Sequence, residues 1–494
     1  MIKTLPLDLI AKKQGNFLAC LLFCSLSFFC LNLNAQSTSL QNCFDLAVQH
    51  NMTIRQARSA LLSGQYNLQA EKKSYLPKVD LLSSYTYLSS PLTINLQTVK
   101  DGVVNGSSSQ SVNAANEVFK EITGNNLSQA AQDRIFNTSK NIIGAIYPDY
   151  NPELSKQSYF VAGLGLRQPI FLGNKLDAAT NLAQSLVNTA SINVNLVSKE
   201  VDFLISLQYM RILYLNTVLN NQQLIVNALE KNKNYAEELV KNQILPPYQK
   251  SWTNVVLMQA NARFNSIKLD KQNAHVELNK LLGVGLDSNV VITDTLKYIT
   301  VNPVLPQGDF WTDNPIYQLA GSKISYAKTA EKISKSFALP NIFAVGNYNL
   351  YQRDLPVTIP DWFVGIELQW SLFNGQTRKR TLAARQLIDE AKLGEENAGQ
   401  ALQVLSKVSR NKMISLQNEV MVLDNARKEA HTTTRLITKR MENQLSSPKD
   451  VNDAVLIEEE IDKAYQAAVL GYYLALAEYF NSLGNPKQIA QFIK

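Results

Sequence analysis

Apolar and polar positions along this chain fall into two contrasting patterns, short alternating runs and very long helical ones. From Trp362 to Leu372 the even positions are Trp362, Val364, Ile366, Leu368, Trp370 and Leu372, and the odd ones include Gly365, Glu367, Gln369 and Ser371. Period-two alternation predicts a strand with one apolar and one polar face. An earlier segment repeats it, with Phe160, Ala162, Leu164 and Leu166 against Gly163, Gly165 and Arg167. Weaker strands are expected over Val79–Leu88 and Ile342–Tyr351, with aromatics near their ends. Residues 174–245 contain neither Gly nor Pro, where the chain's 20 glycines and 16 prolines would place about five, so one continuous helix is expected. Leu196, Phe203 and Met210 recur every seven residues, with Leu207 and Tyr214 interleaved, a heptad-like seam. A second long helix is expected from about Gln376 to Leu445, with Leu416, Val420 and Leu423 on one face. At roughly 1.5 Å per residue each makes a rod of around 100 Å, several times the ~30 Å core of a bilayer.

These elements occur twice. Residues 162–175 align with 364–377 at an offset of 202, matching Gly163 to Gly365, Leu166 to Leu368, Phe171 to Phe373 and Gly173 to Gly375. Asn242, Gln243 and Pro247 then match Asn443, Gln444 and Pro448 at an offset of 201, as do Leu282-Gly283 and Leu483-Gly484. Leu76-Pro77 corresponds to Leu339-Pro340 at an offset of 263, so the first copy carries about 61 extra residues, near 91–158. That insertion is rich in Ser, Asn and Gln, as in Gly106-Ser107-Ser108-Ser109-Gln110-Ser111. It suits an exposed loop with a short helix or two. The expected division is a signal over 1–35, a first repeat over 36–290 with its external loop and a tip turn near 245–248, and a linker over 291–312. A second repeat follows over 313–494, with strands near 340–352 and 362–373 and a tip turn near 445–448. Each repeat reads as helix, strand, loop, strand, very long helix, turn, helix.

The opening residues change the compartment. Lys3, Lys12 and Lys13 precede an apolar stretch from Phe17 to Leu33, and Ala35 offers a small residue for cleavage before Gln36, the layout of an export signal. A membrane anchor is the alternative, though 17 apolar residues sit at the lower limit for a span. Lipidation at Cys20, Cys24 or Cys30 fits poorly, because bulky Phe23 and Phe29 precede two of them and Cys20 comes early in the apolar run. Past the signal only Cys43 remains, so no intrachain disulfide is expected. The net charge of +7 falls to +5 on about 460 residues, too dilute to argue for nucleic acid. No later apolar run reaches the length of a spanning helix, so any membrane segment must be a strand.

Candidate chemistry is sparse. His50, His275 and His431 are scattered without metal-ligand spacing, and no phosphate-binding loop, serine elbow or zinc-protease helix is present. Glu458-Glu459-Glu460 reads as a solvated helix face. No catalytic set, metal or cofactor is expected. Strands of this kind, taken singly, also suit a soluble sheet with one face on a core. Here, however, very long helices flank each pair, and four strands cannot close a barrel alone.

In order and duplication the chain resembles the TolC-like outer-membrane efflux proteins. Leu40-Gln41-Asn42-Cys43-Phe44-Asp45-Leu46-Ala47 through His50-Asn51 is similar to the family's opening helix, and Leu76-Pro77 to its helix-to-strand junction. Leu372-Phe373-Asn374-Gly375 with Arg378 resembles its strand-to-helix junction, which places Gly173 and Gly375 at the two junctions. Tyr235-Ala236-Glu237-Glu238-Leu239-Val240 and Leu281-Leu282-Gly283 fit its first helical hairpin.

The resemblance implies a mainly α fold with a small β part. Three copies would give each four strands to one twelve-stranded outer-membrane barrel, continued by a periplasmic helical barrel. It implies a passive duct for small molecules or polypeptides, docked to a periplasmic adaptor and an inner-membrane pump of RND or ABC type. Trp362, Val364, Ile366, Leu368 and Trp370 would face outer-membrane lipid. Leu245, Pro246, Pro247, Ser446, Ser447 and Pro448 would form the adaptor-contacting tips. Asp450 and Asp453 match the family's gate aspartates, and a trimer would set six carboxylates around a constriction, a ring favouring cations. The same pair equally suits a helix start, where acids complement the dipole. The first tip departs from the family in lacking its glycine-containing turn. Gln249 and Trp252 stand at the positions matching the aspartates, and Ser446 stands where some members carry a latch arginine. The contrasting expectation is a periplasmic coiled-coil scaffold or adaptor without a pore.

Overall fold

The computed structural model describes residues 38–147, 153, 156–302, 308–355 and 359–493. The expected export signal lies outside them, as does the 303–307 part of the linker. Two units are formed by interleaved stretches of chain. One takes in the chain up to Leu68, Leu182–Lys328 and the chain from Arg385 onward, and the other Gln69–Asn181 with Thr329–Ala384.

Among the described residues the order is α1 (Leu40–His50), α2 (Met52–Lys72), β1 (Lys78–Tyr87), α3 (Gln97–Thr123), α4 (Gln129–Ile146), β2 (Ser158–Leu172), α5 (Lys175–Lys241) and α6 (Pro247–Leu282). The second half continues with α7 (Pro315–Ser336), β3 (Asn341–Arg353), β4 (Trp362–Gln369), α8 (Gly375–Glu442) and α9 (Pro448–Ser482). The two expected long helices form, with 67 residues in α5 and 68 in α8. No helix among the described residues is long and apolar enough to cross a membrane.

The helical unit is organised by its seams. Met210 is fully buried, and Phe203, Leu207 and Tyr214 pack against the same core. Val420 is buried on α8, with Leu416 and Leu423 against it. Phe44 of α1, Leu278 of α6, and Tyr472 and Tyr473 of α9 complete this core.

Residues 289–302 run over it without regular structure, so their backbone groups need other partners. Buried tyrosines supply several. Tyr209 donates to Asp294 (2.6 Å), Tyr473 to the carbonyl of Lys297 (2.5 Å), and Tyr472 to that of Ile299 (3.1 Å) while accepting from the amide of Val301 (2.9 Å).

The duplication is visible at atomic detail in one repeated corner. Asn51 Nδ2 donates to the carbonyl of Leu281 (2.6 Å), and its Oδ1 accepts from the amides of Thr53 and Ile54 at the start of α2. Asn314, its counterpart 263 residues on, donates to the carbonyl of Ser482 (3.1 Å) and accepts from the amide of Ile316 at the start of α7. Each asparagine thus caps the helix that follows it and ties that helix to the end of its repeat's last helix. Both are nearly fully buried, at 4% and 3% exposure. Gly283 and Gly484 close the corner at φ +74° and +76°. A Cβ on Gly283 would overlap the carbonyl of His50.

The segment inserted in the first repeat is a helical hairpin rather than a loop, with α3 of 27 residues and α4 of 18. Its serines are accommodated within α3 by bonding back onto their own helix. Ser108 donates to Val104 O (2.6 Å), Ser109 to Asn105 O (2.9 Å) and Ser111 to Ser107 O (3.0 Å). In that mode they do not compete with the helix for its amides.

Replacing Asn51 or Asn314 with Ala is expected to destabilise the helical unit by about 1–3 kcal/mol each, the cost of stranding buried polar groups. Asp at either site should restore the cap but not the donated bond. Thermal unfolding of the two variants at each site beside the unmodified protein checks this, and an unchanged midpoint for Asn→Ala would remove the corner from the account of stability.

Candidate functional site: the amphipathic sheet and the hairpin tips

The four strands form one antiparallel meander in the order β1-β2-β3-β4. Because directly paired residues share a face, the register sorts the sheet into two sides. One side carries the row Val79, Leu166, Gly346 and Val364, the row Leu81, Leu164, Tyr348 and Trp362, and the pair Ala344 and Ile366. It continues toward one end as Tyr85, Phe160 and Arg353, and toward the other as Phe171, Ile342 and Leu368. The opposite side carries Lys78, Arg167 and Val345, then Asp80, Gly165, Asn347 and Phe363, and finally Phe343 beside Glu367. There the Arg167 guanidinium stacks on the Phe343 ring at 3.9 Å and reaches Glu367 at 3.4 Å.

The alternation read in single strands is therefore coherent across the whole sheet. Its apolar side stands open, with Val364 73% and Ile366 75% exposed and Leu81 69%. The outer edges of β1 and β4 pair with no strand among the described residues. A row of free amides and carbonyls therefore runs along each.

Two bulges shape the sheet, at Leu350 in β3 and at Ile170 in β2. The second follows Pro169, which has no amide to give to the ladder. Gly163 is required by contact, since a Cβ there would sit 2.9 Å from the carbonyl of Tyr348.

β4 ends at Gln369, so Trp370 lies just beyond the strand in which it was expected, as does Leu372. The indole N–H of Trp370 donates instead to the carbonyl of Ala338 at 3.2 Å. Its counterpart Gln168 makes the equivalent bond to the carbonyl of Tyr75, itself the counterpart of Ala338. The repeats thus share a helix-to-strand brace built from different side chains.

The junction glycines do not share a role. Gly173 has φ +60°, and a Cβ there would crowd Leu339 and the Ser336 carbonyl. Gly375 begins α8 with open space around it.

The hairpin tips repeat one turn. Gln243 and Gln444 take left-handed φ of 59° and 62°. The amide of Ile244 then reaches Leu239 O (2.9 Å), and that of Leu445 reaches Arg440 O (2.8 Å). The following helices start differently. α6 has Pro246 at its cap position with no side-chain bond, whereas α9 has a capping box between Ser447 and Asp450. The Asp450 carboxylate accepts from the backbone amide (2.8 Å) and hydroxyl (2.9 Å) of Ser447, and these bonds hold its pKa below the usual carboxylate range. Asp453 pairs with Lys449 at 2.7 Å.

Of the expected tip residues, Pro246 and Pro247 are exposed and Leu245, Ser446 and Ser447 half-buried. Pro448 is a correction. It is buried, and its carbonyl accepts from Asn232 (2.9 Å), a residue that also bonds Asn452 (2.7 Å). It therefore joins the two hairpins rather than offering a surface. Sequence reasoning missed the side chains beside it. Tyr248, Trp252 and Val255 line a cavity of about 380 Å³ rimmed by Lys449, and the signal available was two exposed aromatics in the first turns of α6.

The acidic run also differs from expectation. Glu459 is only 10% exposed and pairs with Arg263 (2.8 Å), while Glu458 meets His431 (2.7 Å). Both border a groove of about 1150 Å³ between α5, α6, α8 and α9. Glu459 is bound into a helix-to-helix ion pair and Glu458 into a helix-to-helix hydrogen bond, and only Glu460 is a solvated face. Cys43 is buried, and burial with nearby Asp294 pushes its thiol up to about 12. No group of His, Cys, Asp and Glu among the described residues could hold a metal ion.

Ser447→Ala or Asp450→Asn is expected to cost about 1 kcal/mol at the start of α9. Since folding depresses the Asp450 pKa, its contribution is present above the ordinary carboxylate range and lost as pH falls through its folded value. Amide exchange in the first turn of α9 should accelerate in both variants and, in the unmodified protein, on acidification. Protection that ignores both would exclude the capping role.

No protein-family model matches the sequence, and no curated protein matches it. Solved structures do. A membrane protein from Pseudomonas aeruginosa is 13% identical, with 90% of each chain covered and a TM-score of 0.68. The CmeC outer membrane channel of Campylobacter jejuni is 13% identical, with 92% of this chain and 90% of that one covered and a TM-score of 0.67. The outer membrane protein VceC of Vibrio cholerae is 15% identical, with 90% and 96% covered and a TM-score of 0.63. At such identities the likeness is one of fold. Over nine-tenths of its length the chain has the fold of the outer-membrane channels, which upholds at that level the resemblance to TolC-like efflux proteins.

Proposed function

We propose that the chain is one protomer of a homotrimeric outer-membrane duct that exports small molecules or polypeptides and catalyses no reaction. The observation that carries this reading is the sheet whose apolar side and both edges are left bare. In lipid an unpaired backbone group costs several kcal/mol, so a spanning sheet must close. Four strands are too few, but the meander's even count means that β1 and β4 run in opposite directions. Set beside β4 of the next copy, β1 continues the antiparallel alternation, and a rotation repeats that contact until the ring closes. Three copies, the number the TolC-like resemblance implies, give twelve strands. The apolar side then meets lipid through Trp362, Val364, Ile366 and Leu368, and the side with Lys78, Asp80, Arg167 and Glu367 lines the water-filled lumen.

In the same reading the helical unit lies in the periplasm. Its tips, with Leu245, Pro246, Pro247, Ser446 and Ser447 exposed or half-buried, meet a periplasmic adaptor, and energy comes from an inner-membrane pump of RND or ABC type. Asp450 and Asp453 serve as gate carboxylates, and the capping bonds give Asp450 a fixed position from which to do so.

Lysine at Val364 and Ile366 together is expected to abolish heat-sensitive oligomers in purified outer membranes, since midplane lysine on a lipid face costs about 2–4 kcal/mol. Unaltered insertion would favour the scaffold without a pore. For the gate, Asp450→Ala with Asp453→Ala should raise conductance in planar bilayers or weaken block by trivalent cations at least severalfold. Unchanged conductance and block would remove both residues from the gate.

A further inference from the structure

The duplication supplies an internal control, because the two strand-to-helix junctions are built from matching positions and end in opposite conditions. The first is closed within its own unit. β2 runs directly into Gly173, Tyr75 donates to Asp177 at 2.6 Å, and Lys175 Nζ meets Asn341 Oδ1 at 2.9 Å while lying 5.1 Å from the Phe337 ring centroid. In the second, Trp370–Asn374 lie outside the ladder. Leu372 is 81% and Phe373 92% exposed. Where the first copy has Leu176, Asp177 and Ala178, the second has Arg378, Lys379 and Arg380. All three cations are exposed, and none meets a carboxylate among the described residues. Successive helix positions turn by roughly 100°, so at least two of the three can reach one side of α8.

We propose that this junction is a docking patch for anionic phospholipid. The lipid phosphate is held by Arg378, Lys379 and Arg380, and Trp370, Leu372 and Phe373 lie in the adjoining headgroup and acyl region. Aromatic rings favour the membrane–water boundary, and basic side chains beside it are drawn to phosphate and to anionic leaflets. The three cations meet no carboxylate among the described residues, and Leu372 and Phe373 stand almost bare, whereas the matching junction has no cation at those three positions and its Ile170 and Phe171 are 55% and 37% exposed. The proposal rests on the barrel reading, since only a membrane-inserted sheet brings these residues to a leaflet.

The test uses the full-length oligomer reconstituted in vesicles of phosphatidylcholine with and without phosphatidylglycerol, with native mass spectrometry counting the lipids retained. The wild type should retain phosphatidylglycerol over phosphatidylcholine by about tenfold or more, a preference that falls as salt rises. R378Q/K379Q/R380Q should bring it near parity while the heat-sensitive oligomer persists. Should that triple variant fail to assemble, K379Q/R380Q and the salt titration of the wild type make the same test. An inserted wild-type oligomer without preference, or a variant that keeps it, overturns the patch alone. Loss of the preference to competing inorganic phosphate assigns the site to a free anion and overturns the lipid. Failure of the wild type to insert overturns the barrel reading and the patch with it.

Discussion

The constraint on which the structure turns is the hydrogen-bonding capacity of two strand edges. A β-sheet is satisfied only where another strand lies alongside it, and here β1 and β4 each present a bare edge while one side is largely apolar. In water such a sheet would invite uncontrolled pairing, and natural edges are normally blunted by charge, proline or brevity. None of these protects β4, which is exposed along all eight of its residues and carries one charge, Glu367, on the polar side. An unprotected edge of this kind is open to a further strand. The direction of the strands and the even count make a copy of the same chain a fitting partner.

The helical unit is held by polar contacts of its own. Asn51 and Asn314 fix the corners where each repeat's last helix meets an early one, and the tyrosine hydroxyls fasten an irregular strap across the helical core. These are polar devices inside an apolar seam. Each pairs a buried donor with a backbone carbonyl that the secondary structure leaves free, so the cost of burying the group is offset in place. A helix seam alone specifies that helices pack. The buried asparagines add a defined register, because only one offset brings Nδ2 to the carbonyl of Leu281 or Ser482.

Much of this was legible in the sequence, for physical reasons that differ by element. The first long helix was read from the absence of Gly and Pro over some seventy residues, a signal that grows with length, and the second from its place in the duplication. The strands were read from period-two alternation, but their ends were not. β4 stops before Trp370 because the indole N–H is taken by Ala338 O, a tertiary contact that no alternation reveals. The inserted segment was expected as a loop with a short helix or two because serine and asparagine weaken helices on average, and its helices are longer than that tendency suggests. At the tips, sequence matching placed Asp450 and Asp453 but could not distinguish a capping carboxylate from a free one, and the burial of Pro448 depends on Asn232, more than two hundred residues away. The acidic run failed for a similar reason, since Arg263 and His431 come to it from other helices.

The two repeats diverge most where they meet something other than themselves. Corners, turns and braces are kept: Asn51 with Asn314, Gln243 with Gln444, Gln168 with Trp370. The tips and the strand-to-helix junctions are not, for Pro246 stands where Ser447 caps, and Asp177 stands where Lys379 is exposed. An internal duplication holds its framework because each half must pack the same way, and that pressure is absent at surfaces that face lipid, lumen or another protein. Positions where the copies disagree in charge while agreeing in backbone are therefore ones the shared packing does not constrain. By that criterion the second junction and the first tip, with its exposed Tyr248 and Trp252, are where the two halves of this chain part most clearly.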